Sequence, residues 1–160
     1  MRRLAAVLSV FLLQASAAAA TQVFEGGWFR ISYPDGFIAS GSLPSTTNDG
    51  FDSAFFRDPE GRIEFYVYSP QAGGTATDIA PDAAREKLVA TEENHSEDRT
   101  FRWTTYATKD GTHFRSIEEM RTTDRLQVRV FAIKYRSTDD LAAFRKDYMD
   151  FKQSFQAFAD

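Results

Sequence analysis

The chain has 160 residues, 42% hydrophobic and 14% aromatic, with 23 acidic against 19 basic residues and no cysteine. That is enough apolar material for one domain with its own core, without disulfide or metal staples. The lack of cysteine excludes a disulfide framework, a thiol nucleophile, cysteine-bound zinc or iron-sulfur and a lipidated cysteine. The acidic balance argues against general nucleic-acid binding, which needs a clustered basic surface.

The first 20 residues, MRRLAAVLSVFLLQASAAAA, form a unit of their own: Arg2 and Arg3, then an apolar run from Leu4 to Leu13, then small residues ending in Ala18-Ala19-Ala20. This is the layout of a cleavable secretory signal, and the apolar run is too short to span a bilayer, which needs about 20 residues. The expectation is a signal peptide over 1–20 and a single soluble domain over 21–160. That domain has no membrane span and no lipid anchor, and it is best suited to a bacterial periplasm. Without Arg2 and Arg3 the basic count is 17 against 23 acidic residues, a net charge of −6 that gives no pull toward an anionic membrane.

In the mature chain Phe29, Ile31 and Tyr33 alternate with Trp28, Arg30 and Ser32, the period of a half-buried strand, and Pro34-Asp35-Gly36 turns it. Residues 40–50 read as a loop. FDSAFFR and RIEFYVYS, joined by Asp58-Pro59-Glu60-Gly61, read as a hairpin with Ile63, Phe65 and Val67 on one face and Glu64, Tyr66 and Tyr68 on the other. Pro81 followed by DAAREKLVATEE predicts a helix, with good helix formers behind an early proline.

Three extended runs, RTFRWTTYAT, THFRSIEEMRT and RLQVRVFAIKY, follow and predict an antiparallel meander. A two-residue turn at Asp110-Gly111 sets Arg102 opposite Glu119 and Trp103 opposite Glu118. A second such turn at Thr123-Asp124 would set Glu118 opposite Arg129 and Ile117 opposite Val130, so that opposite charges meet across strands. Ser137-Thr138-Asp139-Asp140 is a helix start. Leu141, Phe144, Tyr148, Phe151, Phe155 and Phe158 continue at spacings of 3, 4, 3, 4 and 3, predicting an amphipathic terminal helix of four to five turns whose stripe faces the sheet.

The run from Phe29 to Phe37, FRISYPDGF, the terminal Phe151-Lys152-Gln153-Ser154-Phe155, and the order of elements over most of residues 24–158 resemble the PsbP-like family. That family includes the extrinsic oxygen-evolving subunit of photosystem II and shares its fold with a Ran-binding nuclear import factor. The resemblance implies an α+β fold, an antiparallel sheet sandwiched by helices, used to dock onto other macromolecules. It carries over no partner-binding residue.

Chemistry-bearing motifs are few. His95 and His113 stand eighteen positions apart and outside any close histidine-carboxylate motif. There is no Gly-x-Ser-x-Gly elbow, and Gly73-Gly74 lacks the lysine of a phosphate loop. No catalytic residue, metal ligand or cofactor is assigned. The candidate binding set is the cross-strand row Trp103, Glu118 and Arg129, with Tyr66 and Tyr68 from the hairpin and Trp28 on the far side of the first strand. A tryptophan beside a guanidinium-carboxylate pair can stack on a ligand and hydrogen-bond it. The functional expectation is an exported, non-catalytic interaction module docking onto an envelope protein or assembly. A small-molecule binder with a pocket between sheet and helix is the alternative, and an unrecognised hydrolase the third. Neither the partner nor an oligomeric state is specified by the residues.

Overall fold

The computed structural model of the protein describes residues 20–124 and 126–158, so the expected signal lies outside the described residues except for Ala20. The first element of the described residues is a strand that the pattern did not single out, β1 (Thr21–Glu25), which pairs antiparallel with β2 (Phe29–Pro34). The alternation in β2 is a core alternation: Phe29 and Ile31 are fully buried and Tyr33 nearly so. After the Pro34-Asp35-Gly36 turn come β3 (Ile38–Gly41), at the start of the expected loop, then the hairpin β4 (Ser53–Arg57) and β5 (Ile63–Tyr68).

The segment expected to be helical is a strand, β6 (Glu86–His95), the outermost of four consecutive antiparallel strands. The others are β7 (Arg99–Thr108), β8 (Phe114–Thr122) and β9 (Val128–Tyr135). Helix propensities differ by only tenths of a kcal/mol per residue, and they lose here to pairing. As a strand the segment satisfies the edge of β7 along its length, with Glu93 opposite and ion-paired to Arg102.

The terminal helix is also shorter than its stripe. It is split at Phe144 into α1 (Thr138–Ala143) and α2 (Arg145–Gln153), and a short strand, β10 (Gln156–Ala157), follows. The Ser137 cap forms as expected, its hydroxyl accepting from the Asp140 amide at 3.1 Å. The helix stops at Gln153 because the chain is then stitched to β2. The Ser32 amide donates to Ser154 Oγ at 2.9 Å, and the Phe158 amide donates to the Trp28 carbonyl at 2.8 Å. Leu141, Phe144, Tyr148, Phe151 and Phe155 still pack on the core, whereas Phe158 is exposed.

The seven-stranded sheet runs β3-β4-β5-β9-β8-β7-β6, and a small sheet β1-β2-β10 packs with the helices on one of its faces. This is the α+β class expected, antiparallel throughout. Between sheet and helices lie Phe56, Phe65, Phe131 and Tyr148, whose ring centroids stand 5.1–6.2 Å from that of Phe151.

On the opposite face a strap with a 3₁₀ turn at Thr77–Ile79 covers Tyr66, Tyr68, Val128, Val130 and Ala132. Asp78 pins it, accepting from Tyr66 Oη at 2.6 Å and from Ser53 Oγ at 2.7 Å. Burial, with this carboxylate second, pushes the Tyr66 phenol upward. Arg115 ties the strap to the start of β6, donating to the Ile79 carbonyl and to both carboxylate oxygens of Glu86. Asp78→Ala leaves the Tyr66 hydroxyl without its acceptor, and the expected loss is about 1–3 kcal/mol. Urea unfolding measures it, and Asp78→Asn, which keeps one acceptor, should lose less.

Candidate functional site

β8 bridges the two halves of the site. The Asp110-Gly111 turn, with Gly111 at a φ of 74°, sets the expected register between β7 and β8: Trp103 lies opposite Glu118 and Arg102 opposite Glu119. The indole Nε1 of Trp103 donates to Glu118 Oε2 at 3.0 Å, and Phe101 stacks on Trp103 at 5.7 Å, nearly parallel. Lys152, from the last turn of α2, donates to the same Glu118 oxygen at 2.5 Å.

The register between β8 and β9 differs from the expectation by two residues. Glu118 lies opposite Phe131 and Ile117 opposite Ala132, while Arg129 lies opposite Met120. The cause is a longer turn: Thr122 closes it with Gln127, two positions beyond the partner that a two-residue turn would give it, donating its amide to the Gln127 carbonyl at 3.1 Å. A shift of two preserves the faces of the strands, so Arg129 stays on the Trp103 side as a diagonal neighbour of Glu118. Its guanidinium carbon stands 5.1 Å from the Phe131 ring centroid and 5.3 Å from that of Phe155.

Among the described residues the Arg129 guanidinium makes no ion pair, and its Nε is buried with no hydrogen-bond acceptor. Burial lowers its pKa from the ordinary arginine value, offset in part by the charge of Glu118. Lys152 shares the Phe131 ring, its Nζ lying 5.6 Å from the centroid. Two cations therefore gather around one carboxylate, a locally positive spot on an acidic chain.

The structure thus brings together Trp103, Glu118 and Arg129 and separates the other candidates from them. Tyr66 and Tyr68 belong to the opposite face, under the strap, because Tyr66 pairs with Ala132 and Tyr68 with Val130. Trp28 sits at the start of β2, its Nε1 donating to Thr47 Oγ1 at 2.8 Å. Phe101, Lys152 and Phe155 were missed as site residues. Phe101 is two positions from Trp103 on a strand, and Lys152 and Phe155 lie within the terminal run that was read as a mark of fold alone.

In two other clefts the charged groups pair with one another. Behind the sheet, a groove of about 620 Å³ carries Arg121, Glu119, Arg102, Glu93 and His95. There Arg121 donates twice to Glu119, Arg102 donates to Glu93, and His95 Nε2 stands 2.8 Å from Glu93. A cleft of about 310 Å³ between β2 and α2 is lined by Tyr33, Lys146, Asp150 and Ser154, with Lys146 paired to Asp150.

A solved structure is similar over nearly the whole chain. Cyanobacterial PsbP (CyanoP) from Synechocystis sp. PCC 6803 is similar over 93% of this chain and 99% of its own, with 16% identity and a TM-score of 0.52. The chain has a PsbP-like fold. The Ran-binding protein Mog1p of Saccharomyces cerevisiae is similar over 87% of this chain and 96% of its own, with 10% identity and a TM-score of 0.46. No protein-family model and no curated protein matches the chain. At 16% identity the likeness to CyanoP is one of fold, and any role for the site rests on its own residues.

Glu118 is the hinge of the site, since it takes both the indole and the ammonium. Glu118→Ala should cost about 1–3 kcal/mol in urea unfolding and change Trp103 emission. Lys152→Met in that background should recover part of the loss, because the pair couples by about 0.5–3 kcal/mol in a double-mutant cycle.

Proposed function

We propose that the protein is a non-catalytic interaction module that works after export, in a bacterial envelope, by docking onto another protein through the face that carries Phe101, Trp103 and Arg129. The observation that carries this reading is the uncovered half of the sheet on the helix side, where a stacked aromatic pair, with Trp103 36% exposed, adjoins a guanidinium that makes no ion pair among the described residues. Aromatic and arginine side chains dominate the energetic centres of protein interfaces. The edge strand β6 beside this face bears Glu86, Lys87, Glu92 and Glu93, charges that discourage open-ended strand pairing. Exported docking modules must remain soluble while presenting such a surface.

Two observations test the reading. Expressed with residues 1–20 in a Gram-negative host, the protein should be recovered from the periplasm with Thr21 at its N-terminus; retention in the cytoplasm at full length refutes the export half. A photo-crosslinking residue at Trp103 should then trap a reproducible envelope protein in the producing organism, while the same residue at Arg102, the next position on the opposite face, should not. Equal trapping from both positions, or none from Trp103, refutes docking through this face.

A further inference from the structure

Resting on that reading, we propose that Arg129 receives a carboxylate of the docked partner, from an aspartate or glutamate flanked by an aromatic or aliphatic residue. The guanidinium is held between the Phe131 and Phe155 rings, and the carboxylate diagonal to it across the strands, Glu118, is engaged by Trp103 and Lys152. The guanidinium makes no ion pair among the described residues, and a carboxylate arriving at its terminal nitrogens, beyond the buried Nε, forms a charge-assisted hydrogen bond with it.

Charge sets the class of anion. Arg129 and Lys152 against Glu118 sum to one positive charge, since nearby Arg99 is already paired with Asp98, and a single carboxylate neutralises it. A doubly charged phosphate would overshoot beside Glu118 and would find too few donors among aromatic walls. The Phe101–Trp103 stack, at the solvent edge of the same face, provides the surface for the flanking apolar residue.

The test follows the Arg129 Nε–H and Trp103 indole N–H resonances of the labelled mature protein during titration with Ac-Phe-Glu-NH₂, Ac-Phe-Gln-NH₂ and inorganic phosphate. The glutamate peptide should shift both signals and bind at least tenfold more tightly than the glutamine peptide or phosphate. Arg129→Met, which keeps the volume of the side chain, should abolish the preference as read at Trp103. Equal affinity for the two peptides, tighter binding of phosphate, or an unchanged preference in Arg129→Met overturns the proposal. These two parts fail separately. A partner trapped at Trp103 and indifferent to Arg129→Met leaves docking standing without the carboxylate, whereas a glutamate preference with no trapped partner leaves an anion site without docking.

Discussion

Phe151 is the contact on which the rest of the molecule depends. Its ring is fully buried among Phe56, Phe65, Phe131 and Tyr148, so a single side chain of α2 joins the helix to β4, β5 and β9. Burying a phenylalanine is worth about 1.5–3 kcal/mol, and here it also fixes where the helix layer sits. A helix of the nine residues of α2 is about 14 Å long, while seven strands at a spacing of about 4.8 Å span about 29 Å. Anchored over the inner strands, the helix layer leaves β6, β7 and β8 largely uncovered. Ala107 is their one buried hydrophobic residue among those described.

The two faces of that uncovered region have opposite characters. Behind the sheet, arginines and glutamates alternate and satisfy one another, which suits a solvated surface and contributes little stability when exposed. On the helix side the last turn of α2 delivers Lys152 to Glu118, and the segment beyond it lays Phe155 over Arg129. The same stitching that ends the helix at Ser154 therefore builds one wall of the site. Core and site share Phe131, which meets Phe151 on one side and the two cations on the other.

Strong period-two patterns were legible in the sequence: β2, the β4–β5 hairpin, the meander, and the β7–β8 register that sets Trp103 against Glu118. β2 and the hairpin have a short turn and one buried face, which together pin the register, and the short Asp110-Gly111 turn pins that of β7 and β8. The segment from Glu86 to His95 was not legible, because an almost wholly exposed edge strand has no buried face to impose alternation and its residues favour helix locally. The β8–β9 register slipped by two because the length of the Thr122–Gln127 turn is set by side-chain hydrogen bonds, such as the Gln127 amide to Thr122 Oγ1. In the site, strand parity kept Arg129 beside Glu118 despite that slip. Lys152 and Phe155 arrive from the far end of the chain, a proximity that no local pattern encodes. The separation of Tyr66 and Tyr68 followed from parity too, but only once the neighbour of β5 was known to be β9.

The proposed docking by way of Arg129 would depend on that one guanidinium and not on the other face of the same sheet. The most direct measurement compares Arg129→Gln with Arg102→Gln for retention of the trapped envelope partner by the immobilised mature protein, with both variants checked for an unchanged unfolding midpoint. Docking by way of Arg129 predicts at least a tenfold loss for Arg129→Gln and none for Arg102→Gln. Equal retention by both variants, or a loss confined to Arg102→Gln, would contradict it.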